Sequence, residues 1–489
     1  MAGDVKQDPG LVQRALSGHA AIGLIIGALL YLVCLSGSLA VLQEHLQRWE
    51  EPRAFEMDSI TPEAAQKALE TILQRQGKAA EHAFIHLPTE GLPRVVITTD
   101  NGAAYVDAEG RFNAPEAHSW TEFVLFLHYY LNLPMTVGLF VTGALGVMLC
   151  AAAVTGVVAH PKIFRDAFRM RLRGRRQLSR SDLHNRLGVW LLPFIAALGL
   201  TGAVLGLGEL VFGAIAQERH GGDFEASYAP LFGPHPLEDQ TPAPVARADR
   251  ALHWMAANRP EYQVTYVTID EVGTAGQQIQ VLADHDRRLI YGETYLFDGE
   301  GKYQGQVGLS DGQLGQQAVA SLYKLHFGNF GGIPVELAYL VFGLALCAII
   351  STGTTLWLMK RRSRGKPSPR LEALWTVTIW GAPVALVITY WAKALLGAQA
   401  PLVAMFWLLL AAGCGLAIAV PSRVHARRIR GFLGAILFLT GLGHFMFFYP
   451  LPVSSILIDC VLAMTGIGLA VPLGRRQYSS ATAMEPRLP

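Results

Sequence analysis

The chain has 489 residues and a formal net charge of +2, from 40 Lys plus Arg against 38 Asp plus Glu. Only 16% of it is charged while 51% is hydrophobic, well below the charge content of a soluble domain, about 25%. That balance excludes disorder and argues against a single soluble globule.

A bilayer core of roughly 30 Å takes a helix of about 20 mainly apolar residues. Eight stretches meet or approach that requirement, at 20–42, 122–159, 187–212, 334–359, 374–396, 401–420, 431–449 and 455–473. The first is too long, and too poor in a small-residue cleavage site, for a removed signal peptide, and reads as a permanent helix. The sequence therefore predicts an α-helical polytopic membrane protein of about eight transmembrane helices, with two small α+β domains in its longest loops.

In chain order the expected organisation is 1–45, N-terminus and first span; 46–120, first outer domain; and 121–212, second span, basic loop and third span. Then come 213–322, second outer domain; 323–362, fourth span; and 363–489, a four-helix membrane bundle and tail. Lys and Arg set the orientation, because positive flanks resist translocation. Lys162, Arg165, Arg169, Arg171, Arg173, Arg175, Arg176 and Arg180 follow the second span; Lys360, Arg361, Arg362, Arg364, Lys366 and Arg370 follow the fourth. Arg423, Arg427, Arg428 and Arg430 follow the sixth, and Arg475 and Arg476 the eighth. Every second loop is basic, which places both termini in the cytoplasm and both domains outside. The basic 162–180 run reads as this topology signal and not as a nucleic-acid surface.

The first 360 residues carry a repeat. His19 opens H-A-A-I-G and His184 opens H-N-R-L-G, and Gly37 and Gly202 follow their respective histidines at identical spacing. His128 in L-H-Y-Y and His326 in L-H-F open matching spans that end in Thr155-Gly156 and Thr352-Gly353. The outer loops repeat as well. Helices at 62–75 and about 245–257 precede strand-like runs, FIHL, RVVITT and AAYVD in one loop and YQVTYVTI, QIQVLA and ETYLFD in the other. The turns at Asp107–Arg111 and Asp298–Lys302 read as hairpins, because neither carries the ligand series of an EF-hand. Spans five to eight show no such repeat and look appended. The five cysteines, Cys34, Cys150, Cys347, Cys414 and Cys460, fall inside spans and read as small packing residues.

Of the 15 histidines, those at span ends are costly to bury unless paired or ligating. His19 and His184 occupy equivalent repeat positions on the cytoplasmic side, and His128 and His326 on the outer side. Singly, each would read as an interfacial residue bound to water or a carbonyl. Two helices supplying one imidazole each at one depth is also the arrangement that holds a haem iron on both axial faces, so two haems would fit. His160 is the alternative cytoplasmic-side ligand and His45 a spare on the outer side. His444 has no expected partner in the later bundle, and Glu209, Glu336, Lys393 and Asp459 read as interfacial. His82, His86, His118, His220, His235, His253, His285 and His425 read as surface residues. No Walker loop, H-E-x-x-H or dinucleotide fingerprint competes, so the electron donor must be a quinol or a cytoplasmic partner.

The H-x-x-x-G openings, the L-H motifs, the T-G endings and the paired outer domains resemble the PepSY-associated transmembrane family of bacterial inner-membrane proteins, over about residues 12–362. Within it the chain is most similar to FoxB-type ferric-siderophore reductases. That resemblance implies an inner-membrane oxidoreductase with two b-type haems, PepSY-like periplasmic domains, and a ferric siderophore of the hydroxamate type as substrate, released as Fe(II). Carried over residue by residue, the haem ligands would be His19, His184, His128 and His326. The aromatic residues beside the outer pair, Tyr129, Tyr130, Phe327 and Phe330, read as an interfacial aromatic belt or as the lining of an exit from haem to substrate. Shorter members lack the last four spans, so residues 371–475 depart from the pattern. The alternatives are a quinol-linked cytochrome with another periplasmic acceptor, and a non-redox siderophore or peptide permease or regulator. No nucleic-acid partner is expected.

Overall fold

The computed structural model describes residues 10–160, 162, 164, 176–233, 239–284, 289, 290 and 292–471. Most of the basic loop (Arg165, Arg169, Arg171, Arg173 and Arg175), together with Arg475, Arg476, His235 and His285, lies outside them.

The first half runs α1 (Leu11–Ala40), α2 (Gln43–Glu50), α3 (Pro62–Gln76), β1 (His82–His86), β2 (Val96–Thr99), β3 (Gly102–Val106), β4 (Phe112–Pro115), α4 (Ser119–Tyr130) and α5 (Met135–Ala159). The second half repeats that order with additions: α6 (Arg176–Trp190), α7 (Leu192–Gly206), α8 (Gly208–Arg219), α9 (Phe224–Phe232), α10 (Ala248–Asn258), β5 (Gln263–Asp270), β6 (Gln278–Asp284), β7 (Glu293–Asp298), β8 (Tyr303–Val307), α11 (Leu314–Phe327) and α12 (Gly332–Ser363). The last part holds α13 (Pro369–Thr376), a π turn at Val377–Gly381, α14 (Ala382–Leu396), α15 (Leu402–Ala419), α16 (Ala426–Phe448) and α17 (Val453–Ala470).

Among the described residues seven helical segments are long and apolar enough to span a bilayer: α1, α5, α12, the α13–α14 run Pro369–Leu396, α15, α16 and α17. The pair Leu178–Trp190 and Leu192–Gly206, bent by 65°, makes an eighth if the two are counted as one broken span. The protein is a multi-pass membrane protein. Small residues let its helices approach closely, as apolar lipid requires. A Cβ on Gly146 would lie 2.8 Å from the Ala203 nitrogen of α7, and one on Gly434 of α16 would lie 2.7 Å from the Gly466 oxygen of α17.

Two expected spans are interrupted. The stretch 122–159 breaks where Leu131 and Asn132 turn left-handed (φ 57° and 53°), ahead of Pro134, which disfavours helix at the residue before it. The stretch 187–212 bends at Leu191, where Pro193 starts α7 without an amide to donate. His128 and His326 thus sit on short helices, α4 and α11, that precede the true spans. Gly328 ends α11 with φ 73°, and a Cβ there would sit 2.8 Å from the Tyr339 ring.

The two long loops are joined in one sheet, ordered β4-β3-β2-β1-β5-β6-β7-β8. Each loop supplies an antiparallel meander, and the two meet at β1 and β5, with Phe84 opposite Thr268 and Ile85 opposite Val267. Helices α3 and α10 cover one face, so Ala65, Ala68, Leu69, Ala248, Ala251 and Met255 share a core with Ile85, Ile97, Val267, Ile269, Ile279 and Val281. The edge strands β4 and β8 lie beyond the expected runs. Both turns are hairpins: Asp107 Oδ1 accepts from the Glu109 and Arg111 amides, and Asp298 Oδ1 from those of Glu300 and Lys302.

Candidate functional site: two facing histidine pairs

The bundle brings the four repeat histidines together two by two. His19 of α1 and His184 of α6 have ring centroids 6.1 Å apart, with planes at 70°. His128 of α4 and His326 of α11 lie 5.9 Å apart, with planes at 24°. His128 packs on Gly37, near the opposite end of α1 from His19. At a rise of about 1.5 Å per residue the stretch of α1 from His19 to Gly37 separates the two pairs by roughly 27 Å, close to the thickness of a bilayer core.

Each imidazole is held through Nδ1. The Nδ1–H of His19 donates to the Ala152 carbonyl (2.9 Å), that of His128 to Val33 (2.9 Å) and that of His184 to Ile349 (3.0 Å). A carbonyl can only accept, so the proton sits on Nδ1 and a neutral ring keeps its lone pair on Nε2. For His326 the acceptor is Thr201 Oγ1 at 2.8 Å, whose own hydrogen goes to the Ala197 carbonyl. Among the described residues Nε2 of these four rings has no hydrogen-bond partner. An oxygen acceptor holding one nitrogen and a free lone pair on the other is the arrangement that suits a metal-ligating histidine.

A glycine makes room for each ring. A Cβ on Gly37 would lie 2.6 Å from His128 Cε1, on Gly202 2.9 Å from His326, on Gly353 3.0 Å from His184 and on Gly156 3.2 Å from His19. The glycines that follow His19 and His184 at matching spacing therefore seat the other pair. Ahead of each glycine stands a hydroxyl residue, Ser36, Thr155, Thr201 or Thr352, bonded to the carbonyl one helical turn earlier, on Leu32, Ala151, Ala197 or Ala348. The next carbonyls along, those of Val33, Ala152 and Ile349, take the imidazole protons. Sequence reasoning singled out Thr-Gly only in the second and fourth spans. Ser36-Gly37 and Thr201-Gly202 carry the same signal in the first and third.

Two metal–nitrogen bonds of about 2 Å, with about 1 Å from each nitrogen to its ring centre, put axial imidazole centroids roughly 6 Å apart. Both pairs have that separation. A cavity of about 280 Å³ surrounds the second pair, lined by Gly37, Ser38, Tyr129, Gly202, Phe327 and Tyr339. On the helix of His184, Arg186 is 6% exposed and its Nε and Nη2 find no acceptor among the described residues. A buried guanidinium of this kind calls for an anion, and a haem carries carboxylates. The residues present thus fit a haem, which His19 with His184 and His128 with His326 would hold. Among the described residues no cluster of three or more His, Cys, Asp or Glu could hold a bare ion.

Other expectations fall differently. His160 caps the end of α5 and makes no ring contact with His19 or His184 among the described residues. His45 is bonded to Glu336 at 3.1 Å. Tyr129 and Phe327 line the cavity, whereas Tyr130 stacks on Phe126 and Phe330 stands against Tyr339. His444, expected to lack a partner, bonds Asp459 and the Trp49 carbonyl, because α16 and α17 pack against α2. Lys393 and Asp459 are likewise internal: Lys393 pairs with Glu50 and Asp459 is 4% exposed. All five cysteines are free.

Bent helices delivering paired histidines beneath a doubled sheet define a membrane protein built by duplication. The model of the PepSY-associated TM region matches residues 16–360, and the chain belongs to that family. It is also similar to an uncharacterized protein of Pseudomonas aeruginosa, 26% identical over 243 residues, which are 47% of this chain and 60% of the relative. The similarity thus spans under two thirds of that relative's length.

Proposed function

We propose that the protein is a di-haem b-type oxidoreductase of the bacterial inner membrane that carries electrons from a cytoplasmic or quinol donor to a ferric siderophore in the periplasm. The observation that carries this reading is the pair of facing imidazole couples, each about 6 Å across and each oriented by Nδ1 with Nε2 free. A haem bound at each couple would supply one-electron carriage. The chain's part is to hold the imidazoles neutral, in one tautomer and on opposite sides of the membrane, so that neither site reorganises when an electron arrives. The glycine seats fix the ring positions, Tyr129 and Phe327 line the cavity at the His128–His326 couple, and the orphaned guanidinium of Arg186, two residues beyond His184, is the proposed partner for a haem carboxylate.

At the substrate the step is Fe(III) plus one electron giving Fe(II). Hard oxygen donors of a hydroxamate hold Fe(II) far less tightly, so reduction is release. Outward electron movement is favoured by an inside-negative potential, by about 2.3 kcal/mol per 100 mV.

The test is an absorption spectrum of detergent-purified protein, oxidised and dithionite-reduced, with a pyridine haemochrome count. Two b-type haems per chain, reoxidised by a ferric hydroxamate, are expected. Colourless protein from haem-sufficient cells would sink the reading in favour of a permease or regulator. Haems that ferric hydroxamate leaves reduced would point to a different periplasmic acceptor.

A further inference from the structure

We infer that the four C-terminal helices clamp α4, the helix that carries His128, and that Glu50 and Lys393 are positioning residues for that imidazole. The inference rests on the haem reading for its spectroscopic consequence but not for its geometry.

A helix begins with amides that have no partner of their own. The residue preceding α4 is His118, whose side chain turns to Glu116 and caps nothing. The amides of Trp120 and Thr121 go instead to the carboxylate of Glu50, the last residue of α2, at 3.0 Å on Oε1 and 2.8 Å on Oε2. The Thr121 hydroxyl adds a third bond at 2.8 Å. A carboxylate suits a helix N-terminus, but this one is 5% exposed, and burying it alone is costly. Lys393 of α14 meets it with Nζ 2.9 Å from Oε1.

The neighbouring residue extends the grip. Trp49 donates Nε1–H to Asp459 Oδ1 of α17 at 2.8 Å and stacks on Tyr390 of α14 with centroids 4.4 Å apart. Its carbonyl faces His444 Nε2 of α16 at 2.8 Å, and a carbonyl only accepts, so that nitrogen carries a proton. The other His444 nitrogen is 2.9 Å from Asp459 Oδ2. Trp120 also donates Nε1–H to the Leu386 carbonyl of α14 at 3.1 Å, and Phe123 meets Phe406 of α15 edge-on. Three of the added helices thus reach α4 through α2, and two touch it directly.

The other end of α4 turns back on α5 at the left-handed residues Leu131 and Asn132, and Thr142 of α5 donates to the Tyr129 carbonyl there at 2.7 Å. The start of the helix is the end left for the added helices to fix. The equivalent helix of the second repeat needs no such help. In α11 the Gln313 amide donates to the Gln316 side chain at 2.9 Å, and Lys324 is tied to Asp284 of β6. This asymmetry between otherwise matching ligand helices gives residues 371–471 a task that a chain without them would have to meet another way.

The experiment compares wild type with Glu50→Gln, Lys393→Met and the conservative Lys393→Arg in the full chain. It reads hydrogen–deuterium exchange of the amides at 120–128 in haem-loaded and haem-free protein, and the low-temperature EPR of the oxidised haems. Glu50→Gln and Lys393→Met are expected to speed exchange in α4 at least several-fold and to shift one of the two low-spin signals while the other stays. Lys393→Arg should restore both. The unshifted signal serves as the control for folding, and Trp49→Phe, which deletes one indole N–H, is the milder substitute if Glu50→Gln does not fold. Unchanged exchange in α4 would overturn the clamp, as would equal shifts of both signals. A colourless wild type would overturn the haem reading alone, because faster exchange in haem-free Glu50→Gln would still establish the clamp.

Discussion

An imidazole buried among apolar helices has two ring nitrogens to satisfy, and each of the four paired histidines satisfies one, Nδ1, on the protein. The seat matters as much as the ring. Gly37→Ala would put a methyl 2.6 Å from His128 Cε1, far inside contact distance, so the ring must shift or the helices part. We expect Gly37→Ala to lose or alter the haem at the His128–His326 couple and spare the other, read as a fall from two haems per chain towards one in the pyridine haemochrome assay. Thr352→Val should act more mildly at His184, whose Nδ1 keeps the Ile349 carbonyl. Arg186→Leu should weaken retention of the haem at the His19–His184 couple, seen as faster loss to apomyoglobin. Outside the membrane, His118 is buried, which opposes its charge, but the hydrogen bond and charge of Glu116 at 2.7 Å, with Glu122 and Glu51 nearby, outweigh this and push it up to about 9. The folded value lies above the ordinary one of about 6.5, so the pair's contribution to stability is complete below about pH 6.5 and is lost as pH rises through 9. Thermal unfolding should fall across that window in wild type, and Glu116→Gln should flatten the fall.

Helices and strands divide by how much of their signal is local. The long apolar runs of α1, α12 and α15 are plain in sequence because lipid demands them. Helices α3 and α10 are plain as well, since Thr61 caps α3 through the Ala64 amide and Gly77 ends it with φ 60°. The breaks in α4–α5 and α6–α7 are local too, at Leu133-Pro134 and Leu192-Pro193, yet a hydropathy window averages over one proline and reads through it. The edge strands β4 and β8 follow directly on the two hairpin turns and alternate in exposure, but at 4 and 5 residues they are too short to stand out by periodicity alone. The joining of the two meanders is not local at all: β1 and β5 belong to different repeats, with two membrane spans between them in sequence, and no spacing announces their pairing. That pairing has a measurable consequence. Ile85 is fully buried between the halves, and Ile85→Ala should cost about 2–5 kcal/mol. Because α3 and α10 share one core, exchange should rise in β5 and β6 of the second half as well as in β1 and β2. Exchange raised in the first half alone would show two independent units.

At the scale of the molecule, duplication made the histidine pairing legible, because His19 with His184 and His128 with His326 occupy the same repeat positions and any fold that respects the repeat brings them to matching depths. What no repeat could reveal is the contribution of the unduplicated part, since Glu50 with Lys393, and Trp49 with His444 and Asp459, join α2 to helices at the far end of the sequence. The two couples stand at opposite ends of α1, separated by roughly 27 Å, so under the proposed function transfer across the membrane would depend on both while local reduction would depend on one. In proteoliposomes sorted to one orientation, a membrane-impermeant reductant on the basic-loop side should reduce ferric hydroxamate on the sheet side in wild type. His19→Ala and His128→Ala should each lower that rate by more than tenfold. The same reductant on the sheet side of His19→Ala vesicles should still reduce the haem at His128 and His326, whereas His128→Ala vesicles should show no fast phase. Equal transmembrane rates in wild type and His19→Ala would mean that electrons bypass the far couple, and the series arrangement of the two sites along α1 would have to be abandoned.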